Sequence, residues 1–382
     1  MARRILVVKL ADIGDLLTVT PALRAIRELH PGVTVDLLST PHSADVIRGL
    51  TSIDHLVLFQ KRLFDSTRAL IRPRSLAEAV RLGVRLRGAR YDSVLVCHHL
   101  NTRYGSLKYA ALALAAGAPR RLGVDNGLGR AWFLTDRTPD SGFGALHEVD
   151  YWLKVAELLD PAKPIEAGRY LPEVGPPDEG DGAVASALPA FAGPTVAVHP
   201  GSGAFSVARR WPVERFAEVA RALVRRQGAR IVVVGGPDEV DLARGLAGQV
   251  DGPTTVLAGR TSLRQLAGVL RRCDLFVGND SGLMHLAVAA RTPVVAVFGP
   301  TNHRAWGPYG FAEWQPGMLD APEGVSSLVV RVGLPCSPCL YRGYSLGNPA
   351  GSPGRECLAL VPTRPVIGAA EALLRARQNL LP

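Results

Sequence analysis

Long apolar runs are absent from this 382-residue chain. No stretch approaches the ~20 residues that a membrane-spanning helix needs, and candidates such as 109–116 are short and Ala-rich, which argues against a transmembrane protein. Cysteine is scarce. Five residues, an odd number, do not make the paired framework of a secreted domain, so a reducing, cytoplasmic setting is expected. No Gly-Lys-Ser/Thr occurs anywhere, which excludes a P-loop nucleotide hydrolase. The dinucleotide fingerprint is missing too, because the turn opening on Gly201 and Gly203 has Ser206 where a third glycine belongs. The amino terminus places basic residues before an apolar run, as signal peptides do. Lys9 and Asp12 interrupt it and no small-residue cleavage site follows, so residues 5–10 are expected to form a buried strand.

What the chain does hold is apolar mass for two cores. Hydrophobic residues make up 47% of it, at a length that suggests two domains of roughly 100–200 residues each. Net charge is +10, from 44 Lys+Arg against 34 Asp+Glu, and this favours an anionic partner or an anionic membrane surface. Nearly all the cations are arginines on Arg/Ala-rich helices, a pattern that codon bias also produces.

Apolar strands at 5–10, 33–38, 55–59 and 93–96 alternate with helical patterns at 16–29, 44–49, 75–87 and 107–116, the last stopped by Gly117. A Pro-, Gly- and acid-rich stretch follows. The alternation then resumes, with strands at 195–199, 230–234, 255–257, 275–277 and 294–298 and helices at 212–227, 239–247, 262–271 and 281–290. This is an α/β pattern of two Rossmann-like, doubly wound halves, with ligands expected in a cleft at the carboxyl ends of both sheets. The expected division is an N-terminal acceptor-side domain over 1–172, a linker over 173–194, a nucleotide-sugar-binding domain over 195–362, and a helix over 363–382 bridging the halves. Residues 62–74, the expected acceptor-side loop, carry no readable pattern.

Three stretches carry chemistry. In Asn279-Asp280-Ser281-Gly282-Leu283-Met284-His285 a strand meets a helix. Asp280 and Ser281 suit the N-cap, Gly282 permits close approach to the first turn, and Asp280 or His285 is within reach of a ribose or phosphate. In His199-Pro200-Gly201-Ser202-Gly203 a Gly/Ser loop is suited to wrapping a phosphate, with Arg209 adding charge-assisted hydrogen bonds; an ordinary Gly-rich turn has the same spacing. In Ala11-Asp12-Ile13-Gly14-Asp15, a carboxylate opening a helix is placed to take a proton from a hydroxyl, or simply to cap the helix.

Together these stretches resemble the bacterial heptosyltransferase family, glycosyltransferase family 9, of GT-B fold. The resemblance runs through Gly14-Asp15 with Thr20-Pro21-Ala22-Leu23, Tyr91-Asp92, Val198-His199-Pro200-Gly201-Ser202, Arg210-Trp211-Pro212, the 279–285 motif and Phe298-Gly299-Pro300-Thr301. It implies that Asp15 is the catalytic base and that Asp280, Ser281, Gly282, Leu283 and His285 hold a nucleotide diphosphate. It also implies that Glu239 holds the ribose and the Ser202 region the phosphate, with Gly14, Gly201, Gly203 and Thr301 shaping the loops. Many relatives have Lys where this chain has Arg209, which keeps the charge and changes the geometry. Cys336, Cys339 and Cys357 form a cluster short of the four ligands of a structural metal site, so thiols or a disulfide are expected there, and Tyr344 stands near the position of a further family cysteine.

The implied activity is an inverting, metal-independent transfer. Asp15 deprotonates an acceptor hydroxyl, which displaces a nucleoside diphosphate from the anomeric carbon of the donor, ADP-heptose by resemblance. The implied acceptor is an anionic glycolipid or lipopolysaccharide-core oligosaccharide at the inner membrane face; neither a resident cofactor nor nucleic acid is implied. Two other classes use such folds: a nicotinamide-dependent oxidoreductase, against which the missing fingerprint speaks, and a non-catalytic sugar-nucleotide-binding relative.

Overall fold

The computed structural model describes residues 3–64, 72–177, 188–203, 207–343, 345–348 and 354–379. The chain divides into two compact units, Met1–Gly142 with Glu148–Glu173 and Phe143–His147 with Val174–Pro382. The centre of the expected linker, 178–187, and part of the 62–74 stretch lie outside the described residues.

Unit 1 is built on parallel strands β1 (Arg4–Val8), β2 (Thr34–Ser39), β3 (His55–Leu58), β4 (Ser93–Val96), β5 (Arg120–Asp125) and β6 (Asp136–Pro139), ordered β3-β2-β1-β4-β5-β6. The central strands are buried on both faces, which is why Ile5-Leu6-Val7-Val8 and Val94-Leu95-Val96 read as unbroken apolar runs. The helical pattern at 16–29 proves to be two helices, α1 (Ile13–Leu17) and α2 (Thr20–Leu29). The break is local chemistry: Pro21 starts a helix better than it continues one, and the hydroxyls of Thr18 and Thr20 donate to the carbonyls of Asp15 and Leu17. Helices α3 (Pro73–Gly88) and α4 (Arg103–Ala116) follow, and Gly117 ends α4 in the left-handed conformation at φ 68°. Strands β5 and β6 and helix α5 (Glu148–Glu157) are structure that the sequence reading passed over. Strand β5 opens on Arg120 and Arg121, an unpromising start for a buried strand; their guanidinium groups leave the sheet to bond the backbone carbonyls of Leu158, Leu159 and Phe133.

A buried ionic group ties β4, β6 and α5 together. His99 bonds Asp140 through Nδ1 at 2.7 Å and Glu148 through Nε2 at 2.9 Å. Burial alone lowers the imidazole pKa, but the two carboxylates outweigh it and push it up to about 9. A raised folded-state pKa contributes stability that is complete below the ordinary histidine value of 6.5 and lost as pH rises through about 9. His99→Gln is therefore expected to cost ~3–5 kcal/mol at pH 6.5, since it removes the cation that bonds two buried carboxylates. It is also expected to flatten the fall in thermal stability between pH 6.5 and 9. Melting curves across that range check both, and an unchanged slope in the variant removes His99 as its source.

Unit 2 has parallel strands β7 (Thr195–His199), β8 (Arg230–Val233), β9 (Thr254–Val256), β10 (Leu275–Asn279), β11 (Val294–Phe298), β12 (Ala312–Glu313) and β13 (Ser327–Arg331), ordered β12-β13-β11-β10-β7-β8-β9. Its helices include α6 (Val213–Gln227), α7 (Val240–Ala247), α8 (Leu263–Arg271), α9 (Gly282–Ala289) and α10 (Thr363–Gln378). The final helix, expected to bridge the halves, packs against α6 and strands β10, β11 and β13 of unit 2, burying Val366, Ile367, Leu373 and Leu374. Both sheets reverse their direction of winding at one place, between β1 and β4 in unit 1 and between β7 and β10 in unit 2. Loops leaving the carboxyl ends of strands diverge there and open a crevice. Among the described residues no helix is long and apolar enough to cross a membrane.

Candidate active site

At the switch point of unit 2 the loops after β7 and β10 meet around Glu239. Its carboxylate is buried, and both oxygens are in use: Oε1 accepts the N–H groups of Ser202 at 3.0 Å and Gly203 at 2.9 Å and the Arg210 guanidinium at 3.5 Å, and Oε2 accepts from Gly236 at 3.0 Å and His199 Nε2 at 2.9 Å. Burial pushes this carboxyl up, but the bond and charge of His199 and the backbone donors prevail and hold it well below the usual carboxylate range. Two glycines are required by this packing. A Cβ on Gly201 would lie 2.0 Å from Glu239 Oε1, and Gly203 sits at φ +72°, a backbone region that other residues rarely adopt.

The remaining donor-side candidates join through a short network. Ser281 is the N-cap of α9 and its Oγ accepts the Met284 N–H at 3.3 Å. The neighbouring candidate, Asp280, takes the Arg209 guanidinium at 3.3 Å instead, and the same guanidinium donates to the carbonyl of Ser202 at 2.9 Å. Arg209 thus spans both loops with its fork, a geometry that a lysine point charge does not reproduce. The N–H groups of Gly282 and Leu283, the first two of α9, have no partner among the described residues, as expected at a helix start. His285 lies buried one turn further along the helix. Thr301, at the loop leaving the adjacent strand β11, is buried with an Oγ1 that has no hydrogen-bond partner among the described residues.

Three residues outside the expected set hold the site together. His199 bonds Ser281 Oγ through Nδ1 at 3.1 Å and Glu239 through Nε2, linking the helix cap to the carboxylate. Asn279 donates to the carbonyls of Pro200 and Gly201, both at 2.9 Å, and accepts the Trp211 N–H, pinning the β7 loop to the end of β10. Arg210 donates to Ser202 Oγ at 3.2 Å. All three lie inside recognisable motifs, but spacing does not show which neighbour a side chain meets. One expectation changes in kind: the N–H groups of Ser202 and Gly203, offered to a phosphate by the sequence reading, here serve Glu239.

In unit 1, Gly14 and Asp15 follow β1 beside that sheet's own switch point, in the first turn of α1. Burial raises the pKa of the Tyr109 phenol, and the charge of Asp15 adds to the rise, which places Tyr109 within the electrostatic reach of Asp15. Cys336 is exposed, Cys339 half-buried and Cys357 buried, and all are free thiols, so the disulfide reading does not hold here. Among the described residues no group of three or more His, Cys, Asp or Glu is arranged to hold a metal ion; Tyr344 lies outside them.

Two doubly wound units, each with polar side chains at its switch point, are the architecture of the GT-B class. Solved structures of that architecture match along the whole chain. A family 9 glycosyltransferase of Veillonella parvula superimposes with a TM-score of 0.74 at 24% identity, covering 98% of both chains. The Escherichia coli ADP-heptose lipopolysaccharide heptosyltransferase II gives 0.71 at 21%, covering 98% of this chain and 99% of that one. Likeness at these identities speaks for the fold. The sequence model "Glycosyltransferase family 9 (heptosyltransferase)" matches residues 79–323, and the chain belongs to this family. Lipopolysaccharide heptosyltransferase 2 of Salmonella typhimurium is 25% identical over 309 residues, 78% of this chain and 83% of that protein. Lipopolysaccharide heptosyltransferase 3 of Escherichia coli reaches 36% over 102 residues, 26% of this chain and 30% of that protein's length. Membership in this family leaves the oxidoreductase alternative without support.

Proposed function

We propose that the protein transfers heptose from ADP-heptose to an anionic lipopolysaccharide-core-like acceptor, with inversion, in one displacement. The supporting observation is that one hydrogen-bonded network at the switch point of unit 2 gathers Ser202, Arg209, Glu239, Asp280 and Ser281. The leaving diphosphate is then held by the open N–H groups of α9, by Arg209 and by the Thr301 hydroxyl, groups fixed where negative charge develops. Glu239 takes a ribose hydroxyl. An ionised carboxylate has about four acceptor positions, and Ser202, Gly203, Gly236, His199 and Arg210 already occupy them, so ribose binding displaces one of these donors. Asp15 is the base that takes the acceptor's proton. The named relatives support the donor and acceptor through what they act on, and an anionic acceptor suits the net charge of +10. An acceptor of that kind places the protein at the inner membrane face, as a peripheral contact.

Incubation with a panel of sugar nucleotides and a lipopolysaccharide-core acceptor, with detection of the nucleoside diphosphate released, is the direct test. Acceptor-dependent ADP release from ADP-heptose, well above that from UDP- or GDP-sugars, is expected. Release of UDP or GDP in its place overturns the donor assignment, and no release with any donor overturns the enzymatic one.

A further inference from the structure

We propose that the outward face of helices α3 and α4 in unit 1 is a docking surface for an anionic lipid bilayer. A surface helix ordinarily turns its apolar stripe to the core and its charges to water. Helix α3 does bury Ser75, Leu82 and Leu86, yet it carries a second apolar stripe facing out. Leu76, Val80 and Val84 follow one another at four-residue spacing and are 54%, 66% and 69% exposed. Its neighbour α4, which packs against it, repeats the pattern with Tyr104, Leu107 and Leu114, Leu107 being 60% exposed. Scattered exposed apolar residues are normal on any protein; periodic ones on adjacent helices are a surface with something to cover it.

Charge selects the occupant. Helix α3 carries Arg74, Arg81, Arg85 and Arg87 against a single acid, Glu78, and α4 adds Arg103 and Lys108 with no acid. Apolar side chains bordered by cations on a helix face suit the boundary of a bilayer with anionic headgroups, where the side chains enter the acyl region and the guanidinium groups meet phosphate. Topology puts this face in a useful place. Helix α3 leads into β4 and α4 leaves it, so both helices begin at the carboxyl edge of the unit 1 sheet, the edge that carries Asp15. The surface itself rests on exposure and charge; only its usefulness to a lipid-borne acceptor rests on the proposed function.

Vesicle co-sedimentation of the full chain tests this. Binding to vesicles of phosphatidylethanolamine and phosphatidylglycerol is expected to exceed binding to phosphatidylcholine at least tenfold and to weaken with salt. The triple variant Leu76→Ser/Val80→Ser/Val84→Ser is expected to lose at least tenfold in binding, and Arg74→Gln/Arg81→Gln/Arg85→Gln about 100-fold, at about fivefold per arginine. Should either triple variant melt early, Val80→Trp in the otherwise intact chain replaces it, with a blue-shifted emission expected on adding the anionic vesicles. Equal binding to both lipids, unchanged binding by the variants, or an unshifted Val80→Trp spectrum overturns the proposal. So does a dimer in sedimentation velocity that the apolar variant abolishes, because a second copy then covers the face. Transfer to a delipidated core oligosaccharide separates the two readings: activity kept while vesicle binding is lost isolates the surface, and vesicle binding without any transfer refutes only the enzymatic proposal.

Discussion

Asp15→Asn is expected to lower sugar transfer by roughly 10²-fold or more, the scale of general-base catalysis, while ADP affinity stays within about twofold of the parent. Asparagine keeps the size of the side chain and the turn it opens, and it cannot accept the proton of an attacking hydroxyl. The contrast between transfer and binding is the informative part. The proposed donor contacts are drawn from unit 2, whereas Asp15 sits on α1 of unit 1, so a base is separable from a donor ligand. Isothermal titration with ADP beside steady-state transfer rates makes the comparison. Near-normal turnover removes Asp15 from the chemistry, and a parallel collapse of ADP affinity reassigns it to binding.

The second large effect is expected at Glu239. Glu239→Ala strands the N–H groups of Ser202, Gly203 and Gly236 and the ring of His199, all of which point at its carboxylate. A loss of ~3–5 kcal/mol follows from breaking one member of a buried ionic group, together with release of the loop after β7 that Glu239 holds. Glu239→Gln is expected to rescue little of this. Oε1 receives three donors and Oε2 two, so whichever position the amide nitrogen takes, it faces at least two hydrogens where the parent offered lone pairs. Because the folded-state pKa is depressed, the stability Glu239 contributes is complete above the ordinary glutamate value of 4.5 and fades as pH falls below it. The variant should therefore melt lower than the parent at pH 7, and the gap should narrow in acid. Thermal unfolding at both pH values measures it, and a Gln variant as stable as the parent contradicts the arrangement.

The local features of this fold were legible because their causes are local. Ser281 and Ser262 cap their helices with hydroxyls three residues from the N–H groups they bond, and Gly117 ends α4 because only its own backbone is at issue. Unbroken apolar strands announced buried parallel sheets. Strand β5, with two arginines at its head, announced nothing, since its partners at Leu158 and Phe133 lie on other elements.

The amino-acid sequence by itself determined the class of the fold, the family and the motifs in which its polar groups are embedded, since these depend on periodicity and on residues a few positions apart. Which of those groups meet was decided only by tertiary structure. Glu239 reaches Ser202 across 37 positions and His199 reaches Ser281 across 82: the first pairing joins the ends of the neighbouring strands β7 and β8, the second the ends of β7 and β10, between which the chain reverses its winding. Packing in unit 1 likewise leaves an apolar stripe of α3 facing outward and buries His99 between two carboxylates. Burial and proximity across long separations are properties of the packed chain.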